Sequence, residues 1–324
     1  YVNIFFSNLK KIIMANSNLV SVLGGNGFLG RYLVHNLLQK GYYVKILSRS
    51  ATLSKTKFIS PKPGQLKLVN CDIKNINGLE TELKGSHFVI NLVGLLVDQK
   101  NNTFVDVHNL ALKHLVKLCV NLKIRKLIHV SAIGAEKNSL SNYAKTKYYG
   151  EEEVKKFKNY CIVRPSIIFG DEDNFVNFFA KISKISPFLP LIGGGKNLFQ
   201  PIWVQDVANI ITSILDKDIR NKVLDVGGEE TFSFKSILEM ILDELELKRV
   251  FISMPFSISK KLAFVLEKLP GAVLTRDQVE MLKKDNIISS VKDYRKYFKY
   301  TPMPFKARLK KQLVFLKEKG GHFN

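Results

Sequence analysis

Between residues 19 and 163 short apolar runs alternate with segments whose apolar positions recur every three or four residues. Runs at 19–23, 42–47, 65–69, 87–93, 126–130 and 160–163 have the length of buried strands. Residues 28–39 set Leu29, Leu33 and Leu37 on one helical face. Residues 104–122 do the same with Leu110, Leu115 and Leu118, and 142–157 also reads as helix. Strands alternating with helices predict βαβ units and a parallel sheet covered on both faces. Right-handed crossovers then predict an α/β, doubly wound sheet.

After Pro165 the rhythm changes. Residues 174–184, 233–245, 257–269 and 275–284 read as helices, and the Pro- and Gly-rich stretch 186–195 as a loop. The run 223–226 reads as a strand returning to the sheet. The expected organisation is an N-terminal extension at 1–17 and a Rossmann domain at 18–165, rejoined by 203–228. Residues 166–202 and 229–324 form a smaller, mostly helical lobe.

Residues 22–30 read Val-Leu-Gly-Gly-Asn-Gly-Phe-Leu-Gly and join the first strand to the first helix. Small residues at Gly24, Gly27 and Gly30 permit a tight turn, close approach of backbone to a pyrophosphate, and close helix–strand packing. With Phe28 and Leu29 opening the helix, its free N–H groups and dipole favour an anion. A glycine motif in this βαβ setting implies a nicotinamide dinucleotide.

Sites for NAD(H) place Asp or Glu at the end of the second strand to hold the ribose diol. No acidic residue occurs from Tyr1 to Cys71, and the second strand ends Ser48-Arg49-Ser50. A guanidinium at Arg49 suits a 2′-phosphate. The pattern favours NADP(H) and leaves NAD(H) open. Asp72, closing the third strand, is a candidate partner for the adenine amino group.

Tyr143-Ala144-Lys145-Thr146-Lys147 opens a helix after the fifth strand. Positions i and i+4 share a face, so the Lys147 ammonium can act on the Tyr143 phenol and hold a ribose. In this position the pair resembles the catalytic Tyr–Lys of short-chain dehydrogenases/reductases. Residues 91–94 (Asn-Leu-Val-Gly) resemble the fourth-strand segment of that superfamily, and 163–170 and 201–208 its extended members. Residues 169–175, the loop 190–196 leading into 199–201, and 282–286 are similar to the nucleotide-binding accessory subunit of respiratory complex I, the 39 kDa subunit family.

That resemblance spans roughly 18–300. It implies that Asn91, Val93, Gly94, Ser131 and Pro165 line the cofactor together with Tyr143 and Lys147. It also implies an accessory role with a structural dinucleotide, and complex I subunits or a membrane surface as partners. The matching location is peripheral, at the cytoplasmic face of a bacterial inner membrane or the mitochondrial matrix side. Two departures stand out. The fifth strand ends Ser131-Ala132-Ile133, where active members carry a polarising Ser or Thr beyond the position matched by Ser131. His108 stands where the family has Asn, with Asn109 adjacent. The pair therefore leaves two readings, ribose binding without turnover, or an epimerase, dehydratase or reductase acting on a nucleotide-sugar or quinone-like precursor.

Composition adds charge. Fifty Lys and Arg against 28 Asp and Glu give +22, which favours anionic surfaces. Nucleic acid is disfavoured because no aromatic-interleaved RNA motif accompanies the charge. No apolar run approaches the roughly 18 residues that span a bilayer. Cys71, Cys119 and Cys161 are widely spaced and imply no disulfide framework. The six histidines lack ligand spacing, so no metal is expected. Trp203 is expected in a core, Asp206 as a helix cap, residues 193–195 as a turn, and 171–173 as a solvated first helical turn.

The two ends of the chain carry their own expectations. Residues 1–18 hold no acid and two Lys, which fits a fragment, an early start or a targeting remnant. From Met281 to Asn324 twelve Lys or Arg face three Asp or Glu, a net of +9. Leu309, Leu313 and Leu316 recur there at helical spacing. Two readings fit: a basic amphipathic helix on an anionic membrane or acidic partner, or a closing helix packed on the second lobe.

Overall fold

The computed structural model describes residues 18–53, 58, 60, 62–98, 100–268, 274–289, 294–298 and 301–317, the side chains of Phe315 and Lys317 excepted. The readings on residues 1–17 lie outside these. In chain order the elements open with β1 (Leu19–Leu23), α1 (Phe28–Gln39), β2 (Tyr43–Ser48), β3 (Leu66–Asn70), α2 (Ile76–Leu83) and β4 (Phe88–Asn91). A π-helical turn (Val105–Leu110) leads into α3 (Ala111–Asn121), followed by β5 (Lys126–Val130), α4 (Asn142–Lys155) and β6 (Tyr160–Pro165). Then come β7 (Ile168–Phe169), α5 (Val176–Ile185), β8 (Phe188–Ile192), β9 (Leu198–Phe199), β10 (Ile202–Trp203) and α6 (Val204–Asp216). The remainder is β11 (Lys222–Val226), β12 (Phe232–Ser233), α7 (Phe234–Leu245), β13 (Val250–Met254), α8 (Phe256–Leu266), α9 (Arg276–Met281) and α10 (Phe305–Lys317).

Seven strands form one sheet in the order β11-β6-β5-β4-β1-β2-β3. Every pairing from β3 across to β6 is parallel. This is the doubly wound order, in which the chain reverses direction across the sheet between β1 and β4. The run at 223–226 returns to the sheet edge as β11. Helices cover both faces, so central strands are buried on both sides: every residue of β5 is buried. Lys126 opens that strand and is also buried. Its ammonium is held by the Asp218 carboxylate at 2.5 Å and the Ile214 carbonyl at 3.3 Å. A buried cation is tolerable only when paired in this way.

The chain divides into two compact units. The first comprises the described residues up to Ser131, Thr146–Val163 and Ala208–Leu224. The second comprises Ala132–Lys145, Arg164–Val207 and the described residues from Asp225 onward. Leu79, Leu83, Val89, Leu112, Leu115 and Leu127 typify the first core. The second core is aromatic-rich. Phe169 packs edge-to-face on Phe305 with centroids 4.8 Å apart, and Phe175, Phe179, Phe199 and Phe234 cluster beside them.

Three local readings are corrected. The stretch 186–195 is not all loop, because β8 pairs in parallel register with β13, from Val250↔Phe188 to Met254↔Ile192. The pairing bridges about sixty residues of sequence, which local propensity cannot register, and Pro190 masks the strand. Asp206 lies inside the first turn of α6, as its third residue, and not at the capping position ahead of the helix. Its Oδ2 instead accepts from the Met303 N–H at 2.8 Å, and burial raises its carboxyl to about 6. Asp173 is buried rather than solvated, accepting from the N–H groups of Gly170, Phe175 and Val176 and from Gln312.

The tail reading resolves towards packing. Phe305, Leu309 and Leu313 of α10 are buried in the second unit's core. Arg308 pairs with Asp171 at 2.5 Å and lies over the Trp203 ring. Each buried Leu or Phe contributes about 1.5–3 kcal/mol, which lifting the helix onto a bilayer would forfeit.

Candidate functional site

The carboxyl ends of β1 to β4 border a cleft of about 270 Å³ in the first unit. It lies where the strand order reverses, the usual binding place of open α/β sheets. Among the residues singled out in the sequence, Gly24, Gly27, Arg49, Asp72, Val93 and Gly94 line it. Asn26, Ser48, Ile73 and Asn102 also line it and were not singled out. Their only sequence signal is position: Asn26, Ser48 and Ile73 each follow or close a predicted strand.

The glycines shape the cleft floor. Gly24 has φ +76°. A Cβ on Gly30 would lie 2.5 Å from the Gly24 carbonyl oxygen and 2.6 Å from the Gly25 carbonyl, so only glycine lets α1 sit so close to the turn. No side chain caps α1 at Gly27. The first N–H groups of such a helix have no intrahelical acceptor, and the dipole favours an anion there. Arg49 is exposed at the mouth, and with Asp72 it also borders an adjoining groove of about 580 Å³. The Asp72 carboxylate accepts from the Lys74 N–H at 2.9 Å.

At Gly94 the cleft meets a buried polar group. A Cβ there would approach the Lys147 Nζ to 3.2 Å and the His108 Nε2 to 3.8 Å. Lys147 is buried and donates to the Val130 carbonyl at 3.4 Å. Burial lowers its ammonium to about 8, against the opposing pull of the Glu151 carboxylate. His108 comes from the π-helical turn, an element frequent at functional sites. Its Nε2 accepts from the Leu95 N–H at 3.0 Å, which puts the proton on Nδ1, facing Thr146 Oγ1 at 3.2 Å. Burial, with the Lys147 ammonium behind it, takes the imidazole to about 2. His108 is therefore a neutral, fixed hydrogen-bonding pivot.

The end of β5 holds two buried polar atoms without a partner among the described residues, Ser131 Oγ and His129 Nε2. Unpaired buried groups cost about 1–3 kcal/mol each, so they mark places where a ligand would supply the missing bond. Asn91 is spent internally. Its Oδ1 accepts from the Val93 N–H at 3.1 Å, and its amide donates to His129 Nδ1 at 3.1 Å. Asn91 thus positions Val93 and does not line the cleft. Phe28 stands edge-on to Tyr32, and Leu29 is buried.

Tyr143 and Pro165 belong to the second unit. Pro165 is buried, and its carbonyl accepts from the Ile133 N–H at 3.1 Å. Tyr143 stands in the first turn of α4, whose N-terminus is capped by a distant carboxylate. Asp277 of α9 accepts from Ser141 Oγ at 2.7 Å, the Asn142 N–H at 2.5 Å and the Tyr143 N–H at 3.2 Å. Burial, then the Asp277 charge, raises the phenol to about 12. At neutral pH Tyr143 is a hydrogen-bond donor that does not ionise.

A family model described as the NAD dependent epimerase/dehydratase family matches residues 20–227. "NADH dehydrogenase (ubiquinone) 1 alpha subcomplex subunit 9, mitochondrial" of Arabidopsis thaliana is 30% identical over 285 residues, covering 84% of this chain and 71% of its own length. The protein of the same name in Dictyostelium discoideum is 33% identical over 228 residues, covering 69% of this chain and 63% of its own. Among solved structures, the dTDP-glucose 4,6-dehydratase of Bacillus anthracis in complex with NAD superposes with a TM-score of 0.70. It covers 92% of this chain and 96% of the dehydratase at 18% identity, a likeness of fold alone.

Proposed function

This chain belongs to the NAD dependent epimerase/dehydratase family, and from that premise we propose that it is a dinucleotide-binding accessory protein of the respiratory NADH:quinone oxidoreductase. In this reading NADP(H) is held in the cleft beside residues 24–30 as a structural element. The chain sits peripherally on the matrix side of the mitochondrial inner membrane, bound to other subunits of the complex. The supporting observation is the uncapped, glycine-lined start of α1 opening on a cleft with Arg49 at its mouth, in a chain related to respiratory subunits along most of its length.

The residues fit such a ligand. The first turn of α1 takes the pyrophosphate, Arg49 the 2′-phosphate, and Asp72 the adenine side. Lys147 and Ser131 supply donors to the nicotinamide ribose, which answers the unpaired hydroxyl of Ser131. A bound nicotinamide supplies a hydride donor or acceptor. A neutral His108 and a phenol held near 12 supply no ready base for turnover, which favours the structural role. Mass action then makes the ligand a stabiliser of its host.

A second reading, a working epimerase, dehydratase or reductase, is favoured by the Tyr143–Lys147 spacing on α4. The deciding experiment is native purification with extraction of the bound nucleotide and identification of co-purifying chains. NADP(H) together with respiratory-complex subunits supports the accessory reading. A free protein that transfers hydride to an added nucleotide-sugar or quinone supports the enzyme.

A further inference from the structure

Helix α8 in the second unit is amphipathic in the reverse sense. Its buried positions are the small Ser259 and Ala263. Its large apolar residues face outward: Ile258, Leu262 and Val265 are 54%, 41% and 59% exposed. Their spacing of four and three residues puts them in one stripe. The β8–β13 pair repeats the pattern. Val250 lies in register with Phe188, and Ile252 with Pro190. Val250, Phe188 and Ile252 are 59%, 51% and 46% exposed, while the alternate Leu189 and Leu191 are buried. Exposed apolar side chains of this size, on elements that adjoin in sequence, mark an interaction surface.

The charges around them select the occupant. Residues 181–192 and 248–268 contain seven Lys or Arg and one acid, Glu267. Glu267 is paired with Arg276 at 2.5 Å. Lys181, Lys184, Lys248, Lys261 and Lys268 are exposed. Protein interfaces are depleted in Lys, whereas this apolar surface, which includes exposed Phe188 and Phe264, has a lysine rim. Lysines beside exposed Phe, Leu, Ile and Val side chains suit the interface of an anionic bilayer. Among the described residues no helix is long and apolar enough to cross a membrane, so attachment here is peripheral.

We propose that α8 and the outward face of β8–β13 dock the second unit on an anionic phospholipid bilayer. Ile258, Leu262 and Val265 enter the acyl boundary, and the lysines meet the headgroups. The tail helix α10, basic as it is, does not perform this role, because Phe305, Leu309 and Leu313 are spent in the core. None of these residues lines the dinucleotide cleft, so this inference and the cofactor reading fail separately.

The test is co-sedimentation of the full chain at low salt with vesicles of phosphatidylcholine and phosphatidylglycerol in equal parts, against phosphatidylcholine alone. The expected result is pelleting with the mixed vesicles only, weakening as salt screens the charges. The combined substitution Ile258→Ser, Leu262→Ser and Val265→Ser should lower partitioning by about tenfold or more, with an unchanged thermal midpoint. Val250→Thr with Ile252→Thr, which keeps strand propensity, should lower it in the same direction if the helix variant folds poorly. Lys306→Ser with Lys310→Ser on α10 should leave it unchanged. No pelleting at low salt, or pelleting that survives both sets of apolar substitutions, overturns the proposal. So does a concentration-dependent dimer that the same substitutions abolish, since a second copy would then be the occupant.

Discussion

The first turns of α1 and α4 meet the same physical problem, N–H groups with no acceptor and a positive dipole end. They answer it in opposite ways. At Gly27 no side chain caps α1, and the cleft opens beside it. At Asn142 the turn is filled from a distant part of the chain, with Asp277 accepting from Ser141, Asn142 and Tyr143 together. A helix start is an anion site only while no internal carboxylate occupies it. The first has kept its capacity to bind. The second has spent that capacity on holding Tyr143, and burial, with the same carboxylate behind it, keeps the phenol protonated.

The largest expected effect strikes the open turn. Gly30→Val puts side-chain atoms against the backbone of Gly24 and Gly25. It should abolish measurable NADPH binding by calorimetry and cost about 1–3 kcal/mol in thermal unfolding, as overpacking does. Binding near the parent level would mean that the cleft is not the dinucleotide site. Next comes Lys147→Ala, which removes a charged donor worth about 1.5–3 kcal/mol of affinity.

That lysine also predicts opposite pH trends. Its folded-state value of about 8 lies below the ordinary 10.5. Between these values the unfolded chain binds more protons, so this group's contribution to stability rises with pH across that window. NADPH affinity, which uses the ammonium, should instead fall by about tenfold per unit above pH 8. A flat affinity profile from pH 7 to about 10 would exclude the ammonium as a ligand group.

Arg49→Glu tests the other end of the cleft. The parent should favour NADPH over NADH at least tenfold, about 1.4 kcal/mol, and the variant should erase or reverse this. Equal or tighter NADH binding by the parent in calorimetry would remove the 2′-phosphate reading. The smallest effect is expected at the closed turn. Tyr143→Phe should cost no more than one neutral hydrogen bond, about 0.5–1.5 kcal/mol of affinity. Steady-state hydride transfer that collapses in this variant would make Tyr143 a catalytic acid and break the contrast between the two turns.

Much of the architecture was written in local pattern. Apolar runs, helical spacing and the glycines at 24, 27 and 30 place the doubly wound parallel sheet, the first βαβ turn and the cleft's floor. Each depends on residues close in sequence or on rules of strand connection that hold for any chain. Arg49 and the absence of acid before Asp72 were equally legible, because strand ends in this fold face one edge of the sheet.

What the sequence could not express were contacts between distant segments. Asp277 lies more than a hundred residues from the turn it caps, and nothing near Asn142 announces it. The parallel pair β8–β13 required two stretches with weak strand signals to meet. The neutrality of His108 follows from its burial beside the Lys147 ammonium, and its orientation from the Leu95 and Thr146 partners that the π-helical turn brings to it. Above all, two basic helices with apolar stripes were alike in pattern, and only packing separated them. Leu309 and Leu313 found a core, while Ile258, Leu262 and Val265 were left outside because Ser259 and Ala263 had already taken the inward face. Periodicity fixes which residues share a helix face; which face turns inward depends on the shape of the surface it meets, and that exists only after the chain has folded.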